Sequence, residues 1–268
     1  MKTEKFLIAG CDKKMQECKN RLIVSGYIAE CLEGDAFRDN VAAFRNIILP
    51  LPSISNGIIS STGINVEYLN SCLNDRQRVF YGNIENNPFG NRGFSYYYDE
   101  AFLIKNSRLT AQGVARLVLD NTEKDFFELK IAVVGYGRCG KSISKMLRKM
   151  GADVTAYSRS NVSKTNALND GIRHSYINRL NTAIFEYDII VNTVPFNIIS
   201  STGLETLTKE NLYIETASKP YGFSIADADI YNFRYILASG LPGKYTPVSA
   251  GENIADTVIE ILKEGNYG

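Results

Sequence analysis

Charge of one sign is what this sequence lacks first. Thirty lysines and arginines stand against 29 aspartates and glutamates, a formal net charge of +1 over 268 residues. Binding to nucleic acid or to an anionic membrane draws on a basic field, and so neutral a chain favours neither. A metal or disulfide framework is missing as well. The five cysteines (Cys11, Cys18, Cys31, Cys72, Cys139) are odd in number, form no CxxC pair and have no histidine at ligand spacing. They read as reduced thiols of a cytoplasmic protein, and no metal site is expected. Long apolar runs are absent too. Residues 6–9 are followed at once by Asp12, Lys13 and Lys14, too short a run for a signal peptide, and no later one approaches a membrane span. The expectation is a soluble, intracellular protein. Histidine occurs once, as His174, after the turn Asn169-Asp170-Gly171. It reads as a surface or adenine-side residue, so any acid–base chemistry late in the chain falls to lysine, serine, tyrosine or water.

What is present is alternation of strand and helix. The hydrophobic content of 44% is ordinary for a chain with a real core, and the length suits two domains. Strands are expected over 6–10, 27–32, 46–49 and 78–81, with helices over 13–25 and 66–72. A Gly- and Asn-rich loop over 83–98 and a linker helix over 109–119 follow. Later strands are expected over 129–134, 153–157, 188–193, 212–216 and 235–238, and helices over 141–150 and 250–262. Ser249 and Glu252 have capping-box spacing before the last helix. The fold class is α/β: a doubly wound parallel-sheet Rossmann domain with a second, smaller, flavodoxin-like α/β domain. The expected division is 1–106, joined by a C-terminal helix 252–268, and 107–251.

The segment Gly135-Tyr136-Gly137-Arg138-Cys139-Gly140 follows an apolar strand and opens a helix with apolar residues on one face. In that context GxGxxG has a mechanism. The first glycine permits a tight turn, the second lets a pyrophosphate approach, and the third lets helix and strand close up, with the helix N-terminus facing the phosphates. At the end of the next strand an NAD site would place Asp or Glu on the ribose 2′-hydroxyl. Ser158-Arg159-Ser160 stands there instead, which favours NADP and leaves NAD open, because a guanidinium pairs with a 2′-phosphate. Thr193-Val194-Pro195 ends a later strand, where an apolar turn can line the nicotinamide or simply end the strand. Ser218 and Lys219, and after the last strand Lys244, lie on ligand-side loops and suit substrate carboxylates or proton transfer; each lysine could equally be solvated. In the first domain, Pro52 and Ser53 end a strand that should face an inter-domain cleft. Ser60, Ser61 and Thr62 form a second turn, and Arg92 and Arg108 are further cations. Ordinary turn chemistry remains an equal reading for these hydroxyls.

Taken together these segments resemble the family of dipicolinate synthase A subunits. The matching pieces are Leu49-Pro50-Leu51-Pro52, Thr110-Ala111-Gln112-Gly113, Val134 to Gly140, Asn192-Thr193-Val194-Pro195, Ala217-Ser218-Lys219-Pro220, and Gly240-Leu241-Pro242-Gly243-Lys244 through Ser249-Ala250-Gly251. The resemblance implies a two-domain fold like the D-2-hydroxyacid dehydrogenases. It implies NAD(P)-linked oxidation to pyridine-2,6-dicarboxylate in the mother cell of a spore-former, with a flavoprotein-like B subunit for its partner; a homo-oligomer is expected besides. It also adds Thr110 and Ser249 to Pro52, Ser53, Thr62, Lys219 and Lys244 as expected contacts of a small dicarboxylate substrate. Two other readings stand beside it. One is a different NADP-linked two-domain dehydrogenase, shikimate dehydrogenase-like or methylene-tetrahydrofolate dehydrogenase-like. The other is a non-catalytic NADP-sensing subunit.

Overall fold

Apolar strands alternating with helices build two parallel sheets, one in each of two units: residues 1–106 with 246–268, and residues 107–245. The structure is a computed structural model and describes residues 4–224 and 230–264; residues 1–3, 225–229 and 265–268 lie outside it.

The first unit holds β1 (Lys5–Ala9), β2 (Ile28–Leu32), β3 (Asn46–Ile48), a small antiparallel pair β4 (Ile54–Ser55) and β5 (Ile58–Ile59), then β6 (Arg78–Tyr81) and β7 (Gly93–Ser95). Its parallel sheet runs β2-β1-β3-β6-β7, the flavodoxin-like order. Side chains alternate across β1. Phe6 and Ile8 meet Met15, Leu22, Ile254 and Val258, while Leu7 and Ala9 meet Phe37, Ile47 and Leu69. The helix Lys13–Val24 starts where Asp12 accepts a hydrogen bond from the Met15 N–H at 2.9 Å. It packs on the last helix, Pro247–Glu264, with Arg21 paired to Asp256 at 2.6 Å.

The second unit holds β8 (Lys130–Val134), β9 (Asp153–Ser158), β10 (Arg173–Tyr176), β11 (Ile189–Asn192), β12 (Leu212–Glu215) and β13 (Arg234–Leu237). Their order, β10-β9-β8-β11-β12-β13, is the doubly wound Rossmann arrangement. One face of β8 (Ile131, Val133) packs on Val114, Val118, Ile143 and Leu147; the other (Ala132, Val134) packs with Tyr157, Ile190, Leu204 and Tyr213. The chain direction of the connections reverses between β8 and β11. Crevices at such a reversal, beyond the carboxyl ends of the strands, receive ligands. The expected fold class is therefore the observed one.

Four local expectations are corrected. The loop over 83–98 contains β7, which adds a fifth parallel strand beside β6. A three-residue strand begun by glycine has no alternation to announce it, yet it brings Tyr96 into the core, where its hydroxyl donates to the Leu49 carbonyl at 2.9 Å. The linker helix begins at Glu100 rather than 109, because Asp99 accepts from the Phe102 N–H at 2.6 Å and caps it. Residues 241–245 form a short helix, not a loop. The last helix begins at Pro247, a residue preorganised for a first helical position. Ser249 thus lies inside the first turn, and the Ser249–Glu252 capping box does not form. Of the C-terminal helix expected over 252–268, residues 265–268 lie outside the described residues.

Candidate functional site

The glycine turn sits at the carboxyl end of β8, the innermost strand of the second unit's sheet. Its three glycines have three different surroundings. Gly135 has φ +98°, a backbone conformation closed to most side chains. A Cβ on Gly135 would also run into the Thr193 hydroxyl, and one on Gly140 would run into the Gly135 carbonyl. A Cβ on Gly137 would meet nothing within 4 Å. Gly137 is exposed and caps the helix Arg138–Lys149, whose first turn carries no acidic residue. The site is thus closed where helix and strand must touch and open where a ligand would approach. An uncompensated helix N-terminus beside that opening suits a phosphate, so a dinucleotide pyrophosphate fits.

The turn is braced from several sides. Gly135 N–H donates to the Tyr157 carbonyl at 2.8 Å, and the Thr193 hydroxyl donates to the Val134 carbonyl at 2.8 Å. Tyr136 is buried and its hydroxyl donates to Asp170 at 3.0 Å. Lys145 and Lys141 reach the same carboxylate at 2.9 and 3.0 Å. Burial raises the Asp170 carboxyl, but these three donors outweigh it and hold the group down at about 2. Cys139 lies at the start of the helix, where burial raises its thiol despite the opposing charge of Arg138, so it is a neutral packing group.

At the end of β9, Ser158 is buried and its hydroxyl shares a 2.8 Å hydrogen bond with His174 Nε2 on the edge strand β10. Ser160 caps the helix Asn161–Asn169, accepting from the Ser163 N–H at 3.1 Å. Both hydroxyls therefore have protein partners, and Arg159, exposed between them, is the group presented to solvent.

At the ends of β11 and β12 the structure assembles a cluster that sequence reasoning passed over. Asn192 and Glu215 are fully buried. Glu215 accepts from Asn192 Nδ2 (3.0 Å to each oxygen), from the N–H groups of Ala217 and Gly222 (2.9 Å each) and from the Tyr213 hydroxyl (3.3 Å). Burial raises its carboxyl and these donors oppose the rise. The available signal was a carboxylate closing an otherwise apolar parallel strand, Leu212-Tyr213-Ile214-Glu215. Val194 is partly exposed beside this cluster and Pro195 is exposed; Ser218 and Lys219 are exposed on the loop that follows Glu215. Lys244 is exposed on the short helix after β13, with Nζ 5.1 Å from the centre of the Tyr245 ring. Thr110 is partly exposed on the linker helix. Close by in sequence, Gly113 lies against Leu241, so the Thr110–Gly113 and Gly240–Lys244 segments meet.

In the first unit Ser53 is fully buried, donating to the Pro50 carbonyl at 2.5 Å and accepting from the Gly82 N–H at 2.6 Å. Thr62 is buried, donating to the Ile59 carbonyl at 3.0 Å and accepting from the Ile64 N–H at 3.1 Å. Arg92 is committed to the Leu73 carbonyl (2.8 Å) and Asn70 (2.6 Å). Pro52 follows a cis peptide bond, and Lys14 donates to the neighbouring Leu51 carbonyl at 2.9 Å. Burial lowers the Lys14 ammonium, with Asp12 opposing. This half-buried cation was not singled out in the sequence.

Comparison with known proteins agrees with this geometry. Residues 104–218 match the family described as D-isomer specific 2-hydroxyacid dehydrogenase, NAD binding domain. The A subunit of dipicolinate synthase from Bacillus subtilis (strain 168) is 30% identical over 161 residues, 60% of this chain and 54% of that protein; the match spans about half of the relative's length. The crystal structure of the dipicolinate synthase A subunit from Bacillus halodurans is similar at a TM-score of 0.85 with 20% identity, covering 98% of this chain and 99% of that one. The NAD-complexed D-isomer specific 2-hydroxyacid dehydrogenase of Lactobacillus delbrueckii ssp. bulgaricus has a TM-score of 0.57 with 13% identity, covering 98% of each chain. At these identities the two structures speak for the fold. The chain is thus similar to dipicolinate synthase A subunits, and residues 104–218 are similar to the NAD-binding domain of the D-isomer specific 2-hydroxyacid dehydrogenases.

Proposed function

We propose that the chain is a nicotinamide-dependent oxidoreductase that converts dihydrodipicolinate, formed from hydroxy-tetrahydrodipicolinate, to dipicolinate during sporulation. Its partner would be a flavoprotein-like second subunit, and its place the mother-cell cytoplasm. The observation that carries the reading is the turn Gly135–Gly140, closed at Gly135 and Gly140 and open at Gly137. The dinucleotide, when bound, supplies the hydride acceptor. Arg138 and the helix N-terminus suit its pyrophosphate. Arg159 suits a 2′-phosphate and makes NADP the preferred form, since no carboxylate stands at the end of β9. Val194 and Pro195 are assigned to the nicotinamide side.

Lys219 and Lys244 are assigned to the two carboxylates of the substrate, each as a charge-assisted donor. Ser218 or one of these lysines assists removal of the proton released as the ring becomes aromatic, which passes to water. Aromatisation favours the reaction, so the residues mainly need to hold the ring in place. Pro52, Thr110 and Ser249 remain assigned as substrate contacts. Ser53 and Thr62 do not, because their hydroxyls already satisfy backbone groups.

The test is a substrate panel with NADP and NAD, run with and without the second subunit. Turnover of the hydroxy-tetrahydrodipicolinate product is expected. Turnover of shikimate alone would move the chain to the other dehydrogenase class, and tight NADP binding with no reduction of any substrate would make it a sensor.

A further inference from the structure

The loop that carries Ser218 and Lys219 leaves the sheet at Glu215 and folds back against that strand end at Gly222. Both ends close on one carboxylate: Ala217 N–H and Gly222 N–H each donate to Glu215 at 2.9 Å. Both oxygens of the same carboxylate accept from Asn192 Nδ2, which also donates to the Val194 carbonyl, while Asn192 Oδ1 accepts from the Val194 N–H, each at 3.0 Å. Gly222 passes the constraint on, since its carbonyl accepts from the N–H groups of Ile198 and Ile199 at 2.9 Å. One buried group therefore ties together the turn 193–195 and the loop 216–222.

We infer that Glu215 is a positioning residue that holds Val194 and the Ser218–Lys219 loop in one fixed arrangement for the reaction. It touches neither substrate nor cofactor. The inference rests on the proposed function for which reaction is served, but the order it imposes on the two segments does not depend on that reading.

The surroundings of Glu215 explain why this position needs a carboxylate. Every polar neighbour named above is a donor, so only a group that accepts at both oxygens satisfies them all. Glutamine would turn an NH2 toward Ala217, Gly222 or Asn192, setting donor against donor. Aspartate would be one methylene too short. Among the described residues no cation lies within ion-pair distance of Glu215. Neutralising a buried charge is thus not the role of the cluster; its bonds come from backbone, from one amide and from the Tyr213 hydroxyl. A buried carboxylate without a cation is costly, and an apolar side chain would serve a merely structural strand end. Gly222 belongs to the same design, because a Cβ there would run into the Tyr213 hydroxyl and the Asn192 amide.

The test compares the full-length wild type with Glu215→Gln. Hydrogen exchange is expected to rise at least tenfold in segments 193–198 and 216–222, and to stay unchanged in segment 135–140. Affinity for NADP should stay within about threefold. Turnover per folded molecule with dihydrodipicolinate should fall at least thirtyfold. Unchanged exchange in either segment, or turnover equal to wild type, overturns the inference. Should Glu215→Gln not fold, the wild type alone decides: Ala217 and Gly222 amides must exchange at least tenfold more slowly than those of Ser218 and Lys219, and equal rates overturn it. A wild type inactive on dihydrodipicolinate would refute the functional reading, while the exchange pattern would still decide the role of Glu215.

Discussion

Alanine at Gly137 and at Gly140 should separate binding from folding within one turn. Gly137 has φ −79° and ψ −166°, backbone that any residue adopts, and a methyl group there meets open space. Alanine is a poorer helix cap than glycine by up to about 1 kcal/mol, but it also restricts the unfolded chain by about 0.4–1 kcal/mol. The two nearly cancel, so Gly137→Ala should leave the melting temperature within about 4 °C of wild type. Binding should suffer, because the methyl holds the pyrophosphate away from the backbone. Losing one charge-assisted hydrogen bond costs about 1.5–3 kcal/mol, a weakening of roughly 10- to 150-fold. Gly140→Ala places its methyl against the Gly135 carbonyl, and helix and strand must move apart. Overpacking of this kind costs about 1–3 kcal/mol, or roughly 2–10 °C in a chain of this size. Calorimetry gives the melting temperatures, and fluorescence titration with NADPH gives the affinities. Wild-type affinity in Gly137→Ala would refute the assignment of this turn to the pyrophosphate.

Other consequences are open to measurement. Asp170, held at about 2 against an ordinary 3.8, contributes stability above that ordinary value and loses it as pH falls toward 2. Asp170→Asn should flatten this acid limb of thermal unfolding and cost about 1 kcal/mol near neutrality, the exposed lysines reducing the full effect. Arg159→Asp should invert cofactor preference, weakening NADP at least tenfold relative to NAD in parallel titrations. Lys219→Ala and Lys244→Ala should each raise KM for the dicarboxylate at least tenfold with little change in NADP affinity; an unchanged KM would remove that lysine from the site.

The sheet of the second unit was legible because each part of it is written locally: an apolar strand, a glycine turn, an amphipathic helix. Residues 135–140 also disclose their separate tasks through spacing alone. What escaped depended on distant partners. β7 has only three residues and takes its place from pairing with β6. Ser53 and Thr62 look available in a turn-rich sequence, and only the fold shows Gly82 and Ile64 using them. Ser249 and Glu252 have the spacing of a cap, but Pro247 starts the helix earlier. Glu215 escaped for the same reason: its donor Asn192 stands 23 residues earlier and reaches it only because β11 and β12 are neighbours.

The central claim, a nicotinamide-linked oxidation of a cyclic dicarboxylate, is tested most directly by stoichiometry. Freshly generated dihydrodipicolinate is supplied with NADP to the protein and the proposed second subunit, and dipicolinate and NADPH are both measured by ultraviolet absorbance. The account predicts that they appear together in equal amounts and that Lys219→Ala slows both. Dipicolinate formed no faster than in a protein-free control, or formed without any reduced nicotinamide, would contradict it.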